Sequence, residues 1–258
     1  MSNMVEVTID GQKIEVEKGT TALEAARSLG IEIPTLCYHE GLPPDGNCRL
    51  CQVEVTDARG RTSLVISCMY PIKGPVEIRT DTPRVRDARA FVVTLLLARA
   101  PHSPVLQHLA EEYGVKPLDA RFVPEDETDL CIRCGRCVRA CATLGNNCIE
   151  FVWRGWEKEV NTPFEEPSHT CIGCGACAQV CPTGAIRAIE DGATRTIWDQ
   201  TFDLVACERC GARFATPEQL EAVSPEFKPT DGHVLCPRCR KLAEARAVAS
   251  GLGAQEEN

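Results

Sequence analysis

The sequence predicts a modular α+β chain: a small strand-rich domain, a helical connector and two further cysteine-rich modules. Three observations lead there. The 17 cysteines fall in tight groups, and none occurs from residue 69 to residue 130. Alternating apolar residues mark strands near the N-terminal end, and helical periodicity fills the cysteine-free gap. Of the 258 residues, 43% are hydrophobic, 25% charged and only 5% aromatic, which suits a folded chain with small cores rather than a disordered one.

The elements follow in order. Val5, Val7 and Ile9 alternate with polar residues, Asp10-Gly11 follows, and Ile14 and Val16 resume the alternation, which predicts a β-hairpin. Thr21-Ala-Leu-Glu24 has the form of a capping box, and Gly30 suits the residue just past a helix end, so a helix is expected over about 20–29. Val53 and Val55, then Leu64 to Ser67, then Val76 and Ile78 read as short strands that complete a domain over 1–80. Thr82-Pro83 opens a helix on which Val85, Ala88, Val92, Leu95 and Leu96 recur, and Ser103-Pro104 opens another that stops at Gly114. Residues 81–127 are therefore expected to form a helical connector, with the acidic stretch 124–129 as a loop. A cysteine-rich domain is expected over 128–200, with a hairpin from Cys148 to Val160 turning at Arg154-Gly155. A third module spans 201–245, and a small, polar tail over 246–258 is expected to fray.

Disulfides are the bland reading of so many cysteines, but they belong to short secreted chains, and the count here is odd. The N-terminal segment has no basic region followed by an apolar run, and no stretch approaches 20 apolar residues, so a cytoplasmic location without membrane insertion is expected. The formal net charge of −9 disfavours a nucleic-acid partner. Gaps of two residues between thiols are the spacing at which one short loop wraps a single metal centre.

Cys37, Cys48, Cys51 and Cys68 form C-x10-C-x2-C-x16-C. The internal C-x2-C and distant fourth ligand match plant-type [2Fe–2S] ferredoxins, though the first gap is longer. Structural zinc is the alternative. Gly46, two residues before Cys48, is expected to let the backbone approach the cluster. Cys131, Cys134, Cys137 and Cys141, followed by Cys171, Cys174, Cys177 and Cys181-Pro182, repeat the bacterial two-cluster pattern, in which the fourth cysteine of each run serves the other cluster. One [4Fe–4S] cluster is therefore expected on Cys131, Cys134, Cys137 and Cys181, and a second on Cys171, Cys174, Cys177 and Cys141. The first run carries Ala142 where Pro is usual, which removes no ligand. Cys207, Cys210, Cys236 and Cys239, as C-x2-C-x25-C-x2-C, suit one tetrahedral ion, zinc or iron. Cys148 is left over, at the start of an apolar run, and is expected to be buried and inert.

The segment IPTLCYHEGLPPDGNCRLCQVEV with the later Cys68 resembles the N-terminal [2Fe–2S] domain of the large iron–sulfur subunit of respiratory complex I. That domain recurs in NAD-linked hydrogenases and formate dehydrogenases. The resemblance covers about residues 3–190 and implies a β-grasp ferredoxin domain, a connector and a two-cluster ferredoxin domain. The C-terminal module resembles zinc ribbons and rubredoxin-like modules. Complex I-type chains usually add a motif of one histidine and three cysteines after the first domain. Here His102 and His108 have no accompanying cysteine, so no cluster is expected there. No nucleotide fingerprint, P-loop or nucleophile arrangement stands out. The implied role is an electron-transfer subunit with no substrate site of its own, placed between a flavin subunit that handles NAD(P)H and a hydrogenase, formate dehydrogenase or similar subunit. A free-standing polyferredoxin is the alternative. In the subunit reading, the C-terminal module would be an interaction element that docks a neighbour.

Overall fold

The computed structural model describes residues 3–116, 128–222 and 234–253. It divides into two compact units, one of Met1–Gly145, Ile149–Asn161 and Cys177–Ile186, the other of Asn146–Cys148, Thr162–Ala176 and Arg187–Asn258.

The first unit opens with a hairpin of β1 (Met4–Ile9) and β2 (Gln12–Glu17), paired Val5 with Val16 and Ile9 with Gln12. Asp10 and Gly11 both take positive φ, 46° and 83°, as a type I′ turn requires. The capping box of α1 (Ala22–Ser28) forms as expected: Thr21 Oγ1 accepts from the Glu24 amide at 3.2 Å, and the Glu24 carboxylate accepts from the Thr21 amide at 2.9 Å. Gly30 follows the helix at φ 74°. β3 (Gln52–Asp57), β4 (Thr62–Ile66) and β5 (Val76–Arg79) complete a five-stranded sheet in the order β2-β1-β5-β3-β4. Only β1 and β5 run parallel. Alternation works as the pleat demands: Val5, Val7, Ile9, Val53, Val55 and Ile78 turn inward to meet Leu23 and Ala26 of α1. Each such fully buried aliphatic side chain contributes about 1.5–3 kcal/mol.

Two helices extend this unit. Thr82 caps α2 (Pro83–Arg99), its hydroxyl accepting from the Val85 amide at 3.2 Å, and Pro83 takes the first helical position. Ser103 precedes α3 (Pro104–Glu112), but its side chain makes no capping bond. Arg89 of α2 is 4% exposed and donates through Nη2 to the carbonyls of Gln52 at 2.7 Å and Thr80 at 2.9 Å, and through Nη1 to the Tyr113 hydroxyl at 3.4 Å. One arginine thus joins the sheet to both connector helices. The acidic loop expected over 124–129 lies mostly outside the described residues, and 128–129 lead into the first cysteine run. The unit continues with α4 (Arg136–Thr143), a hairpin of β6 (Glu150–Val152) and β7 (Glu159–Asn161), and the single turn α5 (Ala176–Gln179), whose first residue belongs to the second unit.

The second unit holds a three-stranded antiparallel sheet of β8 (Ile189–Glu190), β9 (Thr194–Ile197) and β10 (Gln200–Asp203). The β9–β10 hairpin turns on Trp198 and Asp199, so the boundary expected at 200/201 falls inside one element. β11 (Val205–Ala206) pairs with β12 (Arg213–Ala215), and α6 (Pro217–Ala222) and α7 (Pro237–Gly253) follow. The tail expected to fray over 246–258 is helical as far as Gly253. Its alternating alanines, Ala243 to Ala249, are strong helix formers and extend α7 beyond the 245 boundary.

Candidate metal centres

Cys37, Cys48, Cys51 and Cys68 come together at one end of the five-stranded sheet, exposed by 1%, 6%, 2% and 1%. Leu36 and Leu50, buried beside them, pin the long loop that the ten-residue gap creates. Cys51 leads into β3, and Cys68 sits in a 3₁₀ turn after β4, tied back by the Ser67 amide donating to the Cys51 carbonyl at 2.9 Å. The sulfurs interact in two pairs. A bond shared with the Cys48 thiol holds Cys37 down at about 6; burial opposes this, and the Cys48 and Asn47 amides and Arg139 assist. A bond shared with Cys68 holds Cys51 at about 6 in the same way, and the partners Cys48 and Cys68 are pushed up. Two buried thiol pairs fed by main-chain N–H groups are a donor set suited to a binuclear iron–sulfur cluster. At Gly46, φ 66°, a Cβ would lie 2.9 Å from Met69 Cγ and 3.0 Å from Ile66 Cδ1, so its small size serves packing onto β4 and the turn after it.

Cys131, Cys134, Cys137 and Cys181 line one enclosed hollow in the same unit, closed by Pro182 and Ile186. Burial pushes the Cys134 thiol up to about 11 and Cys137 to about 12. Burial also opposes the Cys181 thiolate, but the Ile186 amide, the Thr183 hydroxyl and the Thr183 and Ala185 amides outweigh it and hold this group below its ordinary range. Four cysteines lining one enclosed hollow fit a [4Fe–4S] cluster. The second expected set is divided between the units. Cys141 lies on α4 and Cys177 on α5, in the first; Cys171 and Cys174 lie in the loop before α5, in the second. That loop is held by its carbonyls: Ile172 O accepts from Thr216 Oγ1 at 2.6 Å, and Gly173 O from Arg195 Nη1 at 2.8 Å.

Cys207, Cys210, Cys236 and Cys239 place their sulfurs within 4.8 Å of one another, with Cys210 and Cys236 at 3.8 Å. A tetrahedral ion with bonds of about 2.3 Å needs sulfurs about 3.8 Å apart. The first knuckle is closed by the Gly211 amide donating to the Cys207 carbonyl at 2.8 Å, and the second pair lies at the start of α7. The Cys236 amide and other main-chain donors hold Cys207 down at about 6, whereas burial and shared sulfur bonds push Cys239 up to about 12. Cys148 is buried at 6% exposure, as expected. His102 and His108 are both exposed.

The sequence reading missed the arginines that hold these loops. Arg136 and Arg139, one turn apart on α4, donate to Tyr38 O and Val180 O, and to Pro43 O and Cys37 O. The only sequence signal is their place inside the first cysteine run, C-I-R-C-G-R-C-V-R-A-C.

Two of these sites fall inside stretches that known domains share. Residues 2–83 match the 2Fe-2S iron-sulfur cluster binding domain, and residues 130–185 and 170–213 match the 4Fe-4S dicluster domain. The chain thus carries both kinds of iron–sulfur cluster binding domain. It is 35% identical over 234 residues to an NADH-quinone oxidoreductase component of Rhizobium meliloti (strain 1021), covering 81% of this chain and 27% of that protein. It is 38% identical over 181 residues to "NADH-ubiquinone oxidoreductase 75 kDa subunit" of Reclinomonas americana, covering 62% of this chain and 26% of that one. It is 34% identical over 187 residues to "NADP-reducing hydrogenase subunit HndD" of Solidesulfovibrio fructosivorans, covering 63% and 32%. The chain thus spans about a quarter to a third of the length of these relatives. In fold it is like a chain of an NAD+-reducing [NiFe]-hydrogenase in the H2-reduced state, with a TM-score of 0.60 and 24% identity over 86% of this chain and 97% of that one. Among the described residues, no helix is long and apolar enough to cross a membrane.

Proposed function

We propose that this chain is the iron–sulfur wire of a larger cytoplasmic oxidoreductase, linking a flavin subunit that handles NAD(P)H to a hydrogenase, formate dehydrogenase or similar catalytic subunit. Cys37 with Cys48, and Cys51 with Cys68, would each hold one iron of a [2Fe–2S] cluster. Cys131, Cys134, Cys137 and Cys181 would hold one [4Fe–4S] cluster, and Cys171, Cys174, Cys177 and Cys141 the second. Cys207, Cys210, Cys236 and Cys239 would hold one zinc ion. When bound, the clusters supply one-electron storage; the protein's own part is to bury the sulfurs, orient them and set their potentials. The single observation that carries the reading is the pairing of a buried four-cysteine site at the sheet end with a second enclosed four-cysteine hollow in the same unit. The relatives, named as parts of larger oxidoreductases, favour a subunit over a free-standing carrier.

The test is anaerobic purification with metal and sulfide analysis. About ten irons, ten acid-labile sulfides and one zinc per chain are expected from the cluster types. Markedly fewer sulfides, or diaphorase activity with bound flavin on the isolated chain, would overturn the reading.

A further inference from the structure

Two cluster loops far apart in sequence meet at one helix. Cys37, Cys48 and Cys134 belong to a single buried apolar cluster with Leu36, Leu50 and Ile132. Asn47 Nδ2, beside Cys48, donates to the Arg133 carbonyl at 3.1 Å, beside Cys134. Arg136 stands at this meeting point. Its Nη2 donates to the carbonyl of Tyr38, next to the ligand candidate Cys37. Its Nη1 reaches the carbonyl of Val180 at 3.5 Å, next to the ligand candidate Cys181. The guanidinium therefore grips one residue adjacent to each centre. Burial disfavours its charge, and the sulfurs of Cys134, Cys37 and Cys48 are the groups that favour it. Arg139, three residues on, donates to Pro43 O and to Cys37 O at 2.5 Å, both in the first loop.

We propose that Arg136 is a positioning residue shared by two centres: fixed by carbonyls on either side, its permanent charge raises the reduction potentials of both the [2Fe–2S] cluster and the first [4Fe–4S] cluster. The physical reason is the sign of the charge change. Reduction adds one negative charge to a cluster, and a half-buried cation beside it stabilises the reduced form. Arginine suits the place because it cannot lose its proton and its fork spans two acceptors. One residue acting on both centres shifts them together, preserving the potential difference between them while setting their common level. The inference rests on the ligand assignment proposed above.

The experiment is a dithionite titration of the full chain with redox mediators, followed by EPR, in which the two cluster types are separated by their relaxation temperatures. Arg136→Met is expected to move both midpoint potentials negative, each by about a tenfold change in the reduction equilibrium, ~59 mV for a one-electron couple. Arg136→Lys, which keeps the charge, is expected to recover most of both shifts. Arg139→Met is expected to move the [2Fe–2S] potential more than the [4Fe–4S] potential, since its bonds all go to the first loop. Arg59→Gln, at the exposed β3–β4 turn, removes the same unit of net charge and is expected to move neither. Unmoved potentials in Arg136→Met, a shift in only one cluster, or an equal shift in the lysine variant would each overturn the proposal. If Arg136→Met fails to load clusters while Arg136→Lys loads normally, the charge is supported; failure of both assigns Arg136 a structural role only. Absence of the two signals from the unmodified chain would instead overturn the ligand assignment.

Discussion

Replacing Gly173 by Ala is expected to loosen the cluster loop of the second unit by about 2–5 kcal/mol, and the structure separates this into two parts. Gly173 sits at φ 62°, and holding a residue with a Cβ in that region costs about 1–2 kcal/mol. An added Cβ would also lie 2.6 Å from both Cγ and Cδ2 of Phe202 and 3.0 Å from Cδ1. Phe202 is 7% exposed on β10 and has little room to move, so overpacking adds about 1–3 kcal/mol. The loop cannot simply swing aside, because Thr216 holds the Ile172 carbonyl and Arg195 holds that of Gly173. Gly175→Ala is the internal control. Its φ is 72°, but the nearest atoms, on Ala188 and Arg195, are 3.8–3.9 Å from the new Cβ, so only the backbone cost applies. The assay is anaerobic hydrogen exchange across the loop, including the Cys171 amide that donates to Ser168 O, together with iron content. Gly173→Ala is expected to exchange faster than Gly175→Ala by the overpacking part, about one to two decades at 1.4 kcal/mol per decade. Adding Phe202→Leu to Gly173→Ala should remove that excess, making the pair non-additive. Equal exchange in the two alanine variants, or strict additivity within about 0.3–0.5 kcal/mol, would refute the steric argument.

Arg89→Met removes a buried charged donor from two carbonyls and a hydroxyl, and is expected to lower the stability of the first unit by about 1.5–3 kcal/mol in anaerobic thermal unfolding. Arg89→Lys should not restore it, because an ammonium lacks the fork. Thr216→Val loses the bond to Ile172 O and the hydroxyl that accepts from the Gln219 amide at 3.0 Å; faster exchange at residues 171–175 is expected, by about 1–2 kcal/mol. Zinc loading of the metal-free Cys207 site is expected to release one more proton per chain at about pH 5 than at about pH 7.5, read with an indicator dye. The sign follows from Cys207 being held at about 6: above that pH it is already a thiolate and yields no proton, whereas below it the entering ion must displace one. Cys148→Ala is expected to leave iron and sulfide content unchanged, since Cys148 lies outside every candidate ligand set.

What is legible in the sequence is what is encoded locally. The capping box at Thr21 and Glu24 needs residues three apart, and the cysteine runs announce their centres because ligands two apart share one loop. The two hairpin turns make the contrast. Asp10-Gly11 and Trp198-Asp199 both place two consecutive residues at positive φ, but only the first pair has the composition that such turns prefer. The second hairpin is therefore hidden from sequence, and the expected module boundary runs through it. The bonds from Arg136 and Arg139 to Tyr38 and Cys37 span 98 and 102 residues. No local pattern distinguishes an arginine that folds back on a carbonyl from one that faces water.

Those arginines answer a problem that cluster-binding loops create. A loop that wraps a group of sulfurs directs main-chain N–H groups inward: Cys37 draws the amides of Cys48 and Asn47, and Cys181 those of Ile186, Thr183 and Ala185. The carbonyls of such a loop are then left without ladder partners, and a buried carbonyl needs a donor. Aromatic residues, at 5%, are too few to bury these loops under apolar cover. Arginine supplies the missing donors. Arg133 reaches the carbonyl of Cys131 and Arg195 that of Gly173, alongside Arg136 and Arg139; Arg99, Arg213 and Arg89 do the same for carbonyls outside the cysteine loops. Of the chain's 28 basic residues, 21 are arginine, and the task explains the choice: one guanidinium offers five donors in a plane and stays charged when half-buried. The same charge opposes the thiolates that the loops exist to gather. Satisfying carbonyls and balancing sulfur are thus one device, so a substitution that removes a loop arginine should disturb fold and potential together, and only a charge-retaining variant can separate them.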